Sequence, residues 1–465
     1  MTLIKSVSGI RGTIGGKQGL NLTPVDIVKF TTAFAFLVKK KRNKDKISII
    51  VGRDSRISGK IVSDLVNSTL LSCGADVVDL GLASTPTVEI AVSLSKADGG
   101  IILTASHNPG EWNALKLLNE KGEFISKSEG EYLLEISEKP DFFEYCSINE
   151  LGKLTKDESF LLKHIELIKK VKYVNRDLIR EANFKIVVDA VNSVGGICVP
   201  ALLRELGVSK IIELNCEPTG IFAHKPEPLP ENLMQISRSV VENKADLGIV
   251  VDPDVDRLAI VNQDGSMFGE EYTLVAVADL VLSENPGNTV SNLSSTRALS
   301  DITEKFGKKY FASAVGEVNV VECMKENYAI IGGEGNGGVI LPELHYGRDA
   351  LVGIALFLTN LAKSKLKCSE FRKKFPEYHI SKNRVDLTEN TDIKLILNNI
   401  CQKFKSQKDV KINTADGVKL DFPDAWVHIR ASNTEPILRI YSESSTETEA
   451  QKYASKIIDE ILLMC

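Results

Sequence analysis

Lys185-Ile186-Val187-Val188-Asp189, then Gly195-Gly196 opening an amphipathic run to Leu206, then Ile211-Ile212-Glu213-Leu214, is the stretch on which the fold turns. A short apolar run of β-branched residues reads as a strand buried on both faces, the glycine pair as a turn into a helix, and the second apolar run as a returning strand. Strand–helix–strand order of this kind builds parallel or mixed sheets covered by helices. The same order recurs at residues 48–52, 61–72 and 77–80, and again at 289–292, 297–306 and 310–313. Residue identity among these units is low, so it is the shared order that makes them a structural repeat. Beyond about residue 375 the texture changes to short strands at 416–420, 426–430 and 437–441 with a helix after Thr446, the pattern of a small α+β domain. The fold expected is α/β: three related mixed α/β domains at 1–152, 153–265 and 266–372, and a smaller C-terminal α+β domain at 373–465.

A chain of 465 residues is too long for a single core, and an apolar fraction of 43% can fill several. The formal net charge of −5 argues against nucleic-acid binding driven by bulk electrostatics. Eight cysteines without any Cys-x-x-Cys spacing point to free thiols and a reducing compartment. With no signal-peptide-like start and no run of about 18 apolar residues, a cytoplasmic protein without a membrane span is expected.

Two loops carry the chemistry. Gly99-Gly100-Ile101-Ile102-Leu103-Thr104 reads as a strand emptying into Ala105-Ser106-His107-Asn108-Pro109-Gly110, which sets Ser106 at a strand end. Far downstream, Asp252-Pro253-Asp254-Val255-Asp256-Arg257 lies between the apolar runs 247–251 and 258–261. Aspartates at i, i+2 and i+4 can converge on one hard cation, magnesium first. The calcium helix-loop-helix pattern is excluded, because Arg257 and Gln263 stand where it needs glycine and glutamate. Taken alone, Ser106 is equally a turn residue before Asn-Pro, and the acidic loop a solvated turn.

Together these loops resemble those of the alpha-D-phosphohexomutases. Two more loops match in the same order: Gly333-Glu334-Gly335-Asn336-Gly337-Gly338 resembles the family's sugar-binding loop, and Arg430-Ala431-Ser432-Asn433-Thr434-Glu435-Pro436 its phosphate-binding loop. The resemblance implies three related α/β domains and a fourth around a central cleft. It implies that Ser106 is a phosphoserine sharing a Mg2+ ion with Asp252, Asp254 and Asp256. It implies also that Arg11 faces the serine, that Lys116 is the acid/base residue with His107 as the other candidate, and that Arg257 pairs with the phosphate. Glu334 and Asn336 would hold the sugar; Arg430, Ser432, Asn433, Thr434 and, on the next strand, Arg439 would hold the second phosphate.

A lysine beside cationic neighbours can have its pKa lowered enough to act as a base, and that is expected of Lys116. Arg53 and Arg56, after a strand end, either point into the cleft or pair with Asp54. His224 is expected to be structural. Many bacterial members end the sugar loop with histidine, where this chain has Gly338; no residue in the sequence, His345 included, visibly replaces it.

The activity implied is interconversion of hexose 6-phosphate and hexose 1-phosphate through a bound hexose 1,6-bisphosphate, by a monomer or homodimer whose partner is a small phosphosugar. The loops point first to a phosphoglucosamine mutase acting on glucosamine 6-phosphate, with residues 315–319 as a further specificity loop. A phosphomannomutase/phosphoglucomutase is the alternative. A metal-dependent phosphatase and a non-catalytic sugar-phosphate sensor are readings from other classes.

Overall fold

The computed structural model of the protein describes residues 2–6, 9–387, 391–431 and 437–463. The chain divides into two compact units, Met1–Thr273 with Asn336–Phe371, and Leu274–Gly335 with Arg372–Cys465.

In the first unit, strands β1 (Ile4–Ser6), β2 (Gly9–Thr13), β3 (Ser48–Arg53), β4 (Asp76–Leu82), β5 (Gly99–Leu103), β6 (Trp112–Leu118) and β7 (Leu154–Lys156) form one sheet in the order β1-β2-β6-β5-β3-β4-β7. Neighbours β3, β4, β5 and β7 run parallel, whereas β6 returns antiparallel to β5 and carries Lys116 opposite Ile102. Alternation along the central strands divides their side chains between two cores. Ile49, Val51, Ile101 and Leu103 pack with Phe30 and Phe34 of helix Pro24–Arg42 and Val66 of helix Gly59–Ser72. Ile50 and Ile102 pack with Val88, Ala91 and Val92 of helix Thr85–Ser95. Both faces are therefore covered, which is why these strands read as unbroken apolar runs.

The second sheet has β8 (Lys185–Asp189), β9 (Lys210–Leu214), β10 (Leu247–Val251) and β11 (Leu258–Asn262) in the order β11-β10-β8-β9. Every residue of β10 and β11 is buried, and the two pair antiparallel from Leu247↔Asn262 to Val251↔Leu258. The aspartates 252, 254 and 256 thus sit in the loop of a fully buried hairpin.

In the second unit, β12 (Asn288–Asn292) lies parallel between β13 (Tyr310–Ser313) and β14 (Ala329–Glu334). The strand β15 (Gly338–Ile340) follows the 333–338 loop and belongs to the first unit. The C-terminal sheet is antiparallel, with β16 (His379–Asp386), β17 (Lys411–Asn413), β18 (Val418–Asp421), β19 (Ala425–Ala431) and β20 (Ile437–Ser444) in the order β16-β20-β19-β18-β17. Val427, Ile429, Leu438 and Ile440 bury one of its faces under helices Ile393–Lys405 and Glu447–Leu462. The polar alternates occupy the other face. Three α/β sheets and an antiparallel C-terminal α+β sheet are present, as the strand–helix–strand order and the change of texture beyond residue 375 imply.

Candidate active site

Strand β5 ends at Leu103, and the chain turns so sharply that Ser106 adopts φ 49°, a left-handed backbone conformation that non-glycine residues avoid. The turn persists because it is tied down. The Ser106 amide donates to Thr104 Oγ1 at 2.9 Å, and Thr104 Oγ1 donates to Asp54 Oδ2 at 2.7 Å. Arg56 does most of the holding. Its Nε donates to Asp54 Oδ2 at 2.9 Å, Nη1 to the carbonyls of Pro109 (2.6 Å) and Trp112 (2.9 Å), and Nη2 to those of Ser106 (2.5 Å) and Asn108 (2.7 Å). All five guanidinium donors are used by a side chain that is fully buried. Arg56 therefore neither faces a cleft nor makes a surface pair with Asp54, the two roles its sequence position suggests: it clamps the serine loop from beneath. Burial pushes the Asp54 carboxyl above its ordinary range, against the opposing pull of Arg56.

The aspartate loop meets this serine directly. Ser106 Oγ donates to Asp252 Oδ2 at 2.7 Å, and one oxygen from each of Asp252, Asp254 and Asp256 lies within 4.8 Å of the others. All three carboxylates have zero exposure. Each has one oxygen tied to protein. Asp252 Oδ1 accepts from the amides of Asp256 (3.1 Å) and Arg257 (3.2 Å). Asp254 Oδ2 accepts from Thr85 Oγ1 and from Lys116 Nζ, both at 2.6 Å. Asp256 Oδ2 accepts from Arg348 Nη2 at 2.7 Å and Lys116 Nζ at 3.4 Å. The other oxygens of Asp254 and Asp256 are buried with no hydrogen-bond partner, and that of Asp252 has the serine hydroxyl. A buried carboxylate oxygen without a hydrogen bond is costly, and two of them in a triad of carboxylates that meets a hydroxyl oxygen fit a hard divalent cation. Burial, then Asp256 and Asp254, hold the Asp252 carboxyl well above its ordinary range. Asp254 is held below it, because Lys116 overrides the effect of burial.

Lys116 departs from expectation. Burial alone would lower its pKa, but Asp254 and Asp256 outweigh burial and raise it above the ordinary lysine value, so the side chain is an ammonium. The half-buried imidazole of His107 moves the other way. Burial, reinforced by Arg257, holds its pKa well below 6.5, and its Nδ1 lies 3.4 Å from Ser106 Oγ. Arg11 lies opposite Ala114 in the β2–β6 pairing, and burial followed by the charge of Arg257 lowers its pKa. The Nε groups of both Arg11 and Arg257 are buried donors without a partner among the described residues.

Ser106, His107, Lys116, Arg257 and the aspartate triad are thus brought together, with Arg11 close enough to Arg257 for their charges to interact. Thr85 and Arg348 join them, and nothing in their local sequence marked either one. Asn336, in the same unit, accepts the Gly338 amide at 3.2 Å. His345 does not join the group: it lies between Glu89 and Asp349, each 3.3 Å away. His224 contacts Asp189 Oδ2 at 3.2 Å in the second domain.

In the second unit, Glu334 is buried at the end of β14, where its Oε1 accepts from Asn292 Nδ2 at 2.9 Å and from the Gly316 amide at 3.1 Å. The 315–319 segment is therefore a neighbour of the sugar loop. In the C-terminal sheet Arg430 pairs with Arg439 across β19 and β20, and Arg439 pairs with Arg384 across β20 and β16. Like charges opposite one another destabilise a sheet unless an anion offsets them. Ser432, Asn433 and Thr434 lie outside the described residues.

These parts set a serine hydroxyl against a buried carboxylate triad that could hold a metal ion, and comparison with known proteins assigns the class. Four domain profiles of one family match in order: phosphoglucomutase/phosphomannomutase alpha/beta/alpha domain I at residues 3–144, domain II at 163–265, domain III at 269–378, and the C-terminal domain at 384–460. The chain belongs to the phosphoglucomutase/phosphomannomutase family, and its class is that of the phosphohexomutases, isomerases that move a phosphoryl group within a sugar phosphate. It is 37% identical to a phosphoglucomutase/phosphomannomutase of Thermococcus kodakarensis, over 97% of this chain and 98% of that one. To a probable phosphoglucosamine mutase of Methanopyrus kandleri it is 32% identical, over 89% of each chain. A crystal structure of a phosphoglucomutase/phosphomannomutase family protein from Burkholderia thailandensis superposes with a TM-score of 0.85 at 26% identity, covering 99% of this chain and 96% of that one. No described helix is long and apolar enough to cross a membrane.

Proposed function

We propose that the chain interconverts the 6-phosphates and 1-phosphates of hexoses with Ser106 as the phosphoryl carrier. The observation that carries this is the meeting of a strained, clamped serine hydroxyl with three buried aspartates, two of whose oxygens have no partner. Mg2+ is the cation this donor set suits, and bound there it would offset the charge of the transferring group. In the forward half-reaction the bond between Ser106 Oγ and phosphorus breaks as a sugar hydroxyl oxygen bonds to that phosphorus. The product of this half-reaction is a hexose 1,6-bisphosphate. The hydroxyl proton ends on Ser106 Oγ, and the neutral imidazole of His107, 3.4 Å away, is suited to pass it. Lys116, whose pKa Asp254 and Asp256 raise against the effect of burial, supplies positive charge and a hydrogen-bond donor rather than acting as the base. Arg11 and Arg257 offer buried, unpartnered donors to phosphate oxygens. In the reverse half-reaction the bisphosphate's other phosphoryl group returns to Ser106. The sugar would be read by Glu334 and Asn336, and its second phosphate by Arg430 and Arg439 with Ser432, Asn433 and Thr434.

For the sugar itself, the relative at 37% identity supports glucose and mannose phosphates. The relative at 32% supports glucosamine 6-phosphate, which is also the sugar to which the loops point. A comparison of kcat/KM on the three 6-phosphates, with trace 1,6-bisphosphate, decides between them; a tenfold preference corresponds to about 1.4 kcal/mol in the transition state. The carrier is tested by Ser106→Ala, which is expected to abolish turnover and the phosphoryl mass increment while leaving the fold intact. Full turnover by that variant would end the proposal.

A further inference from the structure

We infer that Arg348 and Thr85 set the ion selectivity of the aspartate triad, by tying up one oxygen of a carboxylate so that only the other can face a cation. This inference rests on the triad being the cation seat. Magnesium demands near-octahedral geometry with few protein ligands, whereas calcium accepts seven or eight oxygens and favours bidentate carboxylates. A carboxylate with one oxygen already engaged can offer only one. Asp254 has Oδ2 engaged by Thr85 Oγ1 and Lys116 Nζ, and Asp256 has Oδ2 engaged by Arg348 Nη2. In both, the remaining Oδ1 is buried and accepts no hydrogen bond, Arg257 Nε lying 3.9 Å from that of Asp256. Asp252 follows the same pattern, but its tie comes from two backbone amides and is not accessible to substitution.

The two side chains are themselves held. Thr85 opens helix Thr85–Ser95 with no exposure, and its amide donates to the Asp254 carbonyl at 2.9 Å, so hydroxyl and amide grip the same residue. Arg348 is buried and crosses directly over Gly338, where an added Cβ would overlap the Arg348 side chain at Cδ. The backbone angle of Gly338 is not one reserved for glycine, so it is this space that requires a glycine there. With its stem passing over Gly338 and its tip on Asp256, Arg348 cannot swing away without losing the ion pair. Position 338 and Arg348 therefore act as one device.

The test is the ratio of Ca2+ to Mg2+ affinity, measured by calorimetric titration and by the ion-induced rise in Tm, on the intact metal-stripped protein. Arg348→Met, which removes the donor, is expected to raise that ratio at least fivefold, and Arg348→Lys, which keeps a donor and the charge, to bring it back toward the wild-type value. Thr85→Val removes one of the two donors on Asp254 Oδ2, leaving Lys116 Nζ, with no change of charge. It is expected to shift the ratio in the same direction, at least twofold, and it serves even where Arg348→Met fails to fold. Wild-type Mg2+ binding with an unchanged ratio in Thr85→Val and in every folded Arg348 variant overturns this inference alone. A shift in Arg348→Met but not in Thr85→Val also overturns it, by assigning the effect to charge. Failure of the wild type to bind either ion, or equal binding after Asp252→Asn, overturns the cation seat and the inference with it.

Discussion

Two clusters of buried charge stand side by side in the first unit and differ in one respect. Around Ser106, three carboxylates with no exposure converge, and two of their oxygens accept no hydrogen bond, with Arg257 Nε 3.9 Å from that of Asp256. A few residues away along the chain, Glu89, Asp349 and His164 are buried as deeply and His345 is half-buried, but each acid faces a histidine. Asp349 Oδ2 is 2.9 Å from His164 Nε2 and 3.3 Å from His345 Nε2, Glu89 Oε2 is 3.3 Å from His345 Nδ1, and Asp349 Oδ1 caps helix Ala350–Ser364. His164 continues to Thr87 Oγ1 at 3.1 Å, which meets Ser84 Oγ at 2.7 Å. Residue neighbours connect the two clusters, since Thr85 follows Ser84 and Arg348 precedes Asp349. The contrast teaches how to separate a ligand seat from a structural network: burial and charge are common to both, and what distinguishes the seat is three carboxylates converging on one another and on a serine hydroxyl with no histidine between them.

The sharpest break in this comparison is Asp252→Asn. The amide keeps an oxygen for the backbone amides of Asp256 and Arg257, and its nitrogen can donate to Ser106 Oγ, so no group is orphaned. It also removes a carboxylate that burial and its two neighbours make hard to ionise. Turnover is expected to fall about a thousandfold or more. Folding stability in chelator should be unchanged or raised by about 1 kcal/mol, read by urea unfolding. A variant that loses stability and activity together would place the triad with the structural cluster.

His345→Gln is the converse. It leaves Asp349 and Glu89 without their shared cation, and breaking a buried pair from one side costs about 3–5 kcal/mol. The expected result is a large fall in Tm with kcat/KM little changed at temperatures where the variant stays folded. The pH dependence should go with it. His345 has a folded-state pKa raised to about 10, by Asp349 and Glu89 against the effect of burial. A cation whose folded pKa is raised contributes stability in full below its unfolded value of about 6.5 and loses that contribution as pH rises to the folded value. The wild type is therefore expected to lose stability between about pH 6.5 and 10, and the variant to lose less over that range.

The same distinction governs what could be read from sequence. Strands Lys185–Asp189 and Tyr310–Ser313 fall where their apolar runs predict them, because period and length are local properties. The short edge strands Leu154–Lys156 and Lys411–Asn413 do not stand out, being largely exposed and polar, and only their neighbours in the sheet define them. The aspartate cluster was legible because its i, i+2, i+4 spacing carries its chemistry, whereas Ser106 stood out only through the resemblance of its loop. Arg56, Thr85 and Arg348 were not, since their meaning lies in partners across 50, 169 and 92 residues of chain. The direction of the Lys116 shift was misjudged for a related reason: cationic neighbours were visible in sequence, but the approach of Asp254 to 2.6 Å was not.

Glu89→Gln asks the smallest question of the comparison, whether the structural cluster needs both of its acids. The amide can still hydrogen-bond to His345, and Asp349 remains to pair with the imidazolium, so no buried charge is left alone. Only one of the two interactions that raise the His345 pKa is weakened, and the cost expected at pH 7 is about 1 kcal/mol, a hydrogen bond to a charged group exchanged for a neutral one. The folded-state pKa of His345 must then fall, which brings the end of its stability loss to a pH below about 10 and makes the total loss smaller. Unfolding curves across this range, set beside those of His345→Gln, separate a network in which two acids share one cation from one in which Asp349 suffices. A cost as large as that of His345→Gln would mean that Glu89, near Gly347 and hence close to Arg348, does more than balance charge.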